Sequence, residues 1–194
     1  MRLGKIPMGL EIEAKFRVAD PSALAAKIAS LGWAEAEHAA SKEEDLYFQG
    51  MGRDFRQTGE ALRIRVQNGV PRFTYKGPVN YSEEGVKVRE ELEMEIPDAK
   101  PSEAQRFLEA LGFQPMVAVH KLRRSFRNLE NWPGFVITLD EVKDLGSFAE
   151  VEFLSDGNGS NTVFAAKKVA DLAGSLGLTV RESRSYLRML MGTG

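Results

Sequence analysis

The sequence predicts an α+β domain in which antiparallel strands carry one apolar and one charged face, with helices covering the apolar side. Three observations carry this. Residues 10–18 alternate strictly, with Leu10, Ile12, Ala14, Phe16 and Val18 set against Glu11, Glu13, Lys15 and Arg17, the period of a β-strand. The same alternation returns in later segments joined by turn signals such as Asn68-Gly69, a strong hairpin marker. Two helical segments open on Pro21 and Pro101 and stop at Gly32 and Gly112, the asymmetry expected of helix starts and ends.

The elements follow in order. After strand 10–18, Asp20 is placed to cap a helix reading PSALAAKIASLG. A polar stretch then leads to a short aromatic strand over 45–48. Residues 61–67 set Leu62, Ile64 and Val66 against Arg63, Arg65 and Gln67; the return strand over 72–76 sets Phe73 and Tyr75 against Arg72, Thr74 and Lys76. Segment 86–96 places Lys87, Arg89, Glu91, Glu93 and Glu95 on one face, with Glu90 breaking the apolar one. The helix PSEAQRFLEALG follows, echoing the first and hinting at an internal repeat. Strands are expected over 119–127, 135–142 and 148–154, a loop over 156–161, a third helix over 162–176, and a short amphipathic helix over 184–191. Residues 44–50, EDLYFQG, resemble the cleavage site of a viral protease used to remove tags; flanked by helix and strand signals, they are read as native chain.

The bulk numbers narrow the function. With 194 residues, 43% hydrophobic and 28% charged, the chain is expected to form one domain over 9–191, with residues 1–8 as an extension and Met8 as a second possible start. A net charge of −2 argues against nucleic acid as partner. There is no Cys, so there is no disulfide, thiolate nucleophile or zinc–cysteine site, and a cytoplasmic location is expected. No apolar run approaches the ~20 residues of a membrane helix. Nucleotide-binding loops of the GxxxxGK[ST] or GxGxxG type are absent. His38, His120, Trp33 and Trp132 read as surface or packing residues.

The charged faces carry the chemistry. A face bearing Glu11, Glu13, Lys15, Arg63, Arg65, Lys76, Arg89, Glu91, Lys121, Arg123, Glu150 and Glu152 cannot be the dry core of a barrel; it faces solvent or lines a wide, wet lumen. Asp140 joins it if its strand keeps parity. Like charges recur in i, i+2 pairs, which repel unless neutralised. Paired bases suit a polyphosphate, and paired carboxylates suit Mg²⁺ or Mn²⁺. The bland alternative is a solvated sheet face with cross-strand ion pairs.

The run Glu11-Ile12-Glu13-Ala14-Lys15 resembles the ExExK signature of the CYTH superfamily, the triphosphate tunnel metalloenzymes. Asp45-Leu46-Tyr47-Phe48, Leu62-Arg63-Ile64-Arg65, Tyr75-Lys76-Gly77-Pro78, Lys121-Leu122-Arg123, Leu139-Asp140-Glu141-Val142 and the run LGSFAEVE ending at Glu152 follow in order. With Ser185-Tyr186-Leu187, they make the chain most similar to the class IV adenylyl cyclase branch. The resemblance implies a closed eight-stranded antiparallel tunnel with flanking helices, often dimeric. It implies that Lys15, Arg63, Arg65, Lys76, Lys121 and Arg123 hold the triphosphate and that Glu11, Glu13, Glu150 and Glu152 hold the metal. Glu91, Glu93 and Asp140 are expected to assist the metal carboxylates, and catalytic roles are expected of Lys15, Arg63, Glu91 and Asp140. The expected reaction is conversion of ATP to cyclic AMP and pyrophosphate. The alternatives are a tunnel triphosphatase acting on inorganic, thiamine or nucleoside triphosphate, and a non-catalytic polyphosphate- or nucleotide-binding module.

Overall fold

Hydrogen bonding closes the strands into a ring. The computed structural model describes residues 8–155 and 162–192, apart from the side chains of 8, 37–39 and 155; residues 1–7 of the expected extension, the loop at 156–161 and the His38 side chain lie outside these. In chain order the elements are β1 (Met8–Arg17), α1 (Pro21–Ser30), β2 (Ala34–Gln49), α2 (Phe55–Thr58), β3 (Ala61–Gln67), β4 (Val70–Lys76), β5 (Asn80–Tyr81), β6 (Lys87–Glu95), α3 (Pro101–Ala110), β7 (Gln114–Arg127), β8 (Phe135–Val142), β9 (Gly146–Ser155), α4 (Thr162–Ser175) and α5 (Tyr186–Leu190). The order β1-β9-β8-β7-β2-β3-β4-β6 returns to β1 through the β1–β6 pairing. The result is a closed eight-stranded barrel, all pairings antiparallel, with two-residue β5 added beside β6.

The ring contains the expected repeat at the level of topology. The unit β1–α1–β2 corresponds to β6–α3–β7, and the two units meet strand to strand as β1–β6 and β2–β7. Local chemistry starts both helices. The Ala23 N–H donates to Asp20 Oδ1 at 2.9 Å, and the Lys100 N–H donates to Glu103 Oε2 at 2.9 Å, satisfying donors that helix starts leave free. Asn68 and Gly69 both take positive φ, 53° and 81°, as a tight hairpin whose twist matches its strands requires.

The barrel is inverted relative to an ordinary one: its principal core lies outside. Ile12, Ala14, Phe16, Ile137, Leu139, Ala149 and Val151 point outward from β1, β8 and β9 against Leu24 and Ile28 of α1 and Ala166 and Val169 of α4. Ala104 and Leu108 of α3 cover Ile64 and Phe48. Trp33 is buried in this core, 6.1 Å from Trp132, so both tryptophans are packing residues as expected. A smaller cluster of Tyr47, Val119, Val142, Phe148, Tyr186 and Met189 closes one end of the barrel under α5. No helix among the described residues is long and apolar enough to cross a membrane.

Two elements differ from expectation. β2 runs for 16 residues, far beyond the aromatic stretch at 45–48. Its outward positions include Lys42 and Glu44, so no apolar face announces the strand, and its backbone is held by β3 and β7 instead. One-turn α2 was not expected; it starts at Asp54, which accepts from the Arg56 N–H at 3.0 Å. The run EDLYFQG lies within and just past β2, with Tyr47 6% and Phe48 2% exposed. A protease reads an extended, accessible segment, so cutting there requires opening of the barrel. The folded protein is therefore expected to resist the viral protease whose site this run resembles, and to be cut between Gln49 and Gly50 only in denaturant that the protease survives. Rapid cutting under native conditions, followed by electrophoresis, would contradict the pairing of β2.

Candidate active site: a tunnel of paired charges

The inward faces of the strands enclose a cavity of about 270 Å³ lined mostly by charged side chains. Strand register explains how so many charges coexist. It sets Glu11 opposite Arg89 and Glu13 opposite Lys87, Lys15 opposite Glu150, Asp45 opposite Arg65, Glu43 opposite Lys121, Lys76 opposite Glu91 and Arg123 opposite Asp140. Like charges lie along a strand, and opposite charges lie across it, where side chains meet closely. The repulsion anticipated from the i, i+2 pairs is thus largely relieved inside the protein.

Two buried aspartates organise the cations. Asp45 accepts from Arg65 at 2.7 and 2.8 Å and from Arg63 at 3.1 Å. Asp140 accepts from Arg123 at 2.7 and 2.6 Å, from Lys121 at 3.3 Å and from the Tyr186 hydroxyl at 2.9 Å. Burial pushes the Asp45 carboxyl up, but Arg63 and Arg65 outweigh it and hold it far below the usual range. Asp140 is likewise lowered, by Arg123 and Lys121 against burial. Each aspartate restrains two cations, and Glu43 and Glu150 share three of the four from the lumen side, so the cations are held in place and their charge is balanced. Lys15 lies 3.9 Å above the Tyr186 ring and 3.4 Å from Glu150. Lys76 bonds Glu11 and lies 3.1 Å from Glu91, which is also 3.9 Å from Arg63.

The exception to cross-strand complementarity on the acidic side is Glu13 opposite Glu152. Ligand oxygens of Glu11, Glu13 and Glu152 lie within 4.8 Å of one another, and all three residues are buried. Arg89 bonds Glu11 at 2.8 Å and Glu13 at 3.4 Å, and Lys87 reaches Glu13 at 3.3 Å. Among the described residues the ion pair of Glu152 is with Arg123, at 3.8 Å. Burial therefore pushes the Glu152 carboxyl well above its ordinary value, and Glu150, Glu11 and Glu13 add repulsion that Arg123 does not offset. Glu11, by contrast, is held low by Lys76 and Arg89 despite its burial. The acidic cluster is short of positive charge at Glu152, which is the condition that a hard divalent cation with oxygen ligands relieves.

The structure brings Lys15, Arg63, Arg65, Lys76, Lys121 and Arg123 onto one lumen, together with Glu11, Glu13, Glu91, Glu150 and Glu152. Glu150 stands apart from the acidic cluster, bound to Arg123 and to Lys15, which hold its carboxyl well below the ordinary range against the effect of burial. Asp140, 1% exposed, sits behind Lys121 and Arg123 rather than on the lumen surface. Arg17 lies past the closed end, bonded to Glu182 at 2.9 Å. His120 is half exposed beside Glu44 at 3.6 Å. Sequence reading missed Glu43 and Tyr47, which also line the tunnel. Ser41, Glu43, Asp45 and Tyr47 do alternate, but two of the three outward residues between them, Lys42 and Glu44, are polar too, and Leu46 is the single apolar one. Tyr186 was visible only as part of a resemblance, since a residue arriving from a C-terminal helix has no strand parity to reveal it.

Glu182 fixes the closed end from outside. Hydrogen bonds from Arg184, at 2.8 Å, and from Arg17 lower its carboxyl from 4.5 to about 2. A depressed carboxyl stabilises the fold above the unfolded value and loses that contribution as pH falls toward the folded one. Urea midpoints are therefore expected to fall between pH 4.5 and about 2, with a shallower fall in Glu182→Gln. Equal slopes for the two proteins would remove Glu182 from the acid response.

Comparison with known proteins agrees with this architecture. The model of the CYTH domain family matches residues 9–186. A Methanocaldococcus jannaschii protein named as a putative adenylate cyclase is 33% identical over 143 residues, which cover 74% of this chain and 76% of that protein. A solved Pyrococcus horikoshii protein is 34% identical with a TM-score of 0.79, covering 94% of this chain and 98% of its own. A Hippeastrum protein, described as a putative adenylyl cyclase with a dominant triphosphatase activity, shares the fold at 20% identity and a TM-score of 0.65, covering 96% of this chain and 97% of its own. The eight-stranded tunnel and the match over nearly all of the described residues place this chain in the CYTH domain family.

Proposed function

We propose that this chain is a divalent-metal-dependent enzyme that converts ATP to cyclic AMP and pyrophosphate within its tunnel. The observation that carries the reading is the pairing of an undercompensated acidic cluster, Glu11, Glu13 and Glu152, with cations held in place by Asp45 and Asp140. A metal–triphosphate complex supplies charge of both signs that such a site lacks. In the reaction a bond forms between the ribose 3′-oxygen and the α-phosphorus, and the bond from that phosphorus to the pyrophosphate oxygen breaks; the 3′-hydroxyl proton leaves to solvent.

The residues divide the work. Arg63, Arg65, Lys121 and Arg123, restrained by their aspartates, bind phosphate oxygens without having to be ordered first, which is the economy of a preorganised site. Lys15 and Lys76 add compact positive charge along the tunnel wall. Glu91 orients Lys76 and Arg63. Glu11, Glu13 and Glu152 hold Mg²⁺ or Mn²⁺, which when bound offsets charge developing on the phosphate oxygens. Glu150 holds Lys15 and Arg123 toward the lumen. The second reading, hydrolysis of a triphosphate, is favoured by one feature: the cations that line the tunnel suit phosphate oxygens and do not distinguish one triphosphate from another. The fold shared with the Hippeastrum protein makes it the necessary comparison. A non-catalytic module would have little use for three buried carboxylates converging on one point.

Purified protein incubated with Mn²⁺ and either ATP or inorganic triphosphate separates these readings. Cyclic AMP with pyrophosphate supports the cyclase; orthophosphate without cyclic product supports the triphosphatase. Glu11→Gln is expected to abolish turnover while circular dichroism stays unchanged, and full activity in the folded variant would take Glu11 out of the site. Arg63→Ala is expected to weaken triphosphate binding by about 1.5–3 kcal/mol, the scale of hydrogen bonds to charged groups, and to change Mn²⁺ affinity less; equal loss of both points to a distorted tunnel. Because Glu152 must give up a proton to bind metal, Mn²⁺ affinity is expected to rise with pH above the ordinary carboxylate range. A flat titration by calorimetry would count against Glu152 as a ligand.

A further inference from the structure

One stretch of the tunnel wall departs from the pairing of charges. The cations that line the tunnel each have a carboxylate partner, from Lys15 with Glu150 to Arg72 with Glu93, and Arg127 is the exception. Its side chain, exposed on the inward face of β7, has no ion pair or hydrogen bond among the described residues. Thr138 of β8 is a second exception. It lines the tunnel and is 2% exposed, yet its hydroxyl has no hydrogen-bond partner among the described residues. Strand register brings the two together. Thr138 stands opposite Ser125 of β7 and Glu150 of β9. Arg123 and Arg127 flank Ser125 on the same face of β7, so each is a diagonal neighbour of Thr138, about 7–8 Å away along the sheet and within reach of a long side chain.

We propose that Thr138 and Arg127 form a phosphate subsite of the tunnel, in which the Thr138 hydroxyl donates to a phosphate oxygen held between Arg123 and Arg127. The subsite rests on the triphosphate reading above and adds to it two residues which that reading leaves without a role. A buried hydroxyl with no partner carries the cost of its own desolvation, and a valine there would not. The neighbouring inward position of β8 is Val136, so the same wall accepts a valine two residues away. The hydroxyl at 138 gains its partner from something that enters the tunnel. Its surroundings give the chemistry of that partner. Glu150 beside it is already engaged by Lys15 and Arg123, and the charge left over nearby is the guanidinium of Arg127. The group that fits is an anion whose oxygens accept from a hydroxyl and a guanidinium at once. Arg127 also sets this stretch apart from the rest of the tunnel, because a phosphate binds it without displacing a carboxylate.

Calorimetry on the full chain with Mn²⁺ measures binding of inorganic triphosphate to wild type, Thr138→Val, Thr138→Ser and Arg127→Gln. Urea unfolding of the ligand-free proteins measures their stability. Losing one hydrogen bond to a charged group weakens binding by about tenfold or more. A loss of about that size is expected in Thr138→Val and in Arg127→Gln, with most of the affinity recovered in Thr138→Ser. The urea midpoint of Thr138→Val is expected to be no lower than that of wild type. The Arg127→Gln loss is expected to persist at about 1 M salt, where a Debye length of about 3 Å leaves direct contact and removes attraction from afar. Wild-type affinity in either the valine or the glutamine variant overturns the subsite, and so does a glutamine effect that vanishes at high salt. Weak binding in Thr138→Val with a lowered urea midpoint, or without recovery in Thr138→Ser, also overturns it, since the side chain then acts through packing. If wild type fails to bind inorganic triphosphate with Mn²⁺, the triphosphate reading falls and the subsite with it. Arg127→Gln changes an exposed side chain, so it decides the question even where Thr138→Val fails to fold.

Discussion

Charge neutrality inside a closed cylinder is the constraint from which the rest of this structure follows. A barrel that buries carboxylates and cations in its lumen takes each of them out of water at a cost of several kcal/mol. That cost is tolerable only where every charge meets its opposite with good geometry. The antiparallel register provides this: a strand bearing acids, such as β1, lies beside β6, whose Arg89 and Lys87 fall directly opposite Glu11 and Glu13. A slip of one residue would turn the charged set outward under the helices and the apolar set inward. Lumen pairing and outer hydrophobic packing therefore select the same register, and neither is achieved without the other.

The helices follow from the inversion. Because the lumen is ionic, the outward faces carry Ile12, Phe16, Ile137 and Val151 and need cover, which α1 and α4 give on one side and α3 on another. The near-symmetry of β1–α1–β2 and β6–α3–β7 distributes that cover and also repeats the device that restrains the cations. Asp45 holds Arg63 and Arg65 across the β2–β3 pairing, and Asp140 holds Lys121 and Arg123 across β7–β8. Removing either aspartate would leave two buried cations with fewer partners, so these residues stabilise the fold and shape the site at once. Their nearly complete burial distinguishes them from the exposed salt bridges that contribute little.

Much of this was legible in the sequence, for a definite reason. Where one strand face is apolar and the other charged, as in β1, β3, β4 and β7, alternation reveals both the strand and the direction of its side chains. Lys15, Arg63, Arg65, Lys76, Lys121 and Arg123 could therefore be assigned to one lumen before any coordinates. β2 was read short because Lys42 and Glu44 face outward, and a strand with two polar faces has no periodicity to detect. The grouping of Glu11, Glu13 and Glu152 apart from Glu150 was not legible either. Parity puts all four on the lumen, but the relative heights of β1 and β9 decide which meet, and Lys15 and Arg123 claim Glu150.

A tunnel that neutralises itself raises the question of how it binds anything. Its internal pairs are multiply shared: Glu43 lies 3.2 Å from both Arg65 and Lys121, and Arg123 faces Asp140, Glu150 and Glu152. Shared partners can be regrouped without any one charge being stranded. An anion entering alone would compete with these carboxylates for the same cations and leave them uncompensated. A cation entering alone would relieve Glu152 but add to the positive charge around Asp45 and Asp140. A cation and a polyanion entering together satisfy both, because each neutralises the groups that the other displaces. Under the proposed reading, the ionic lumen would favour a metal–triphosphate complex over either component, and metal and triphosphate would bind with positive coupling whose origin is the low tolerance of a buried site for unbalanced charge.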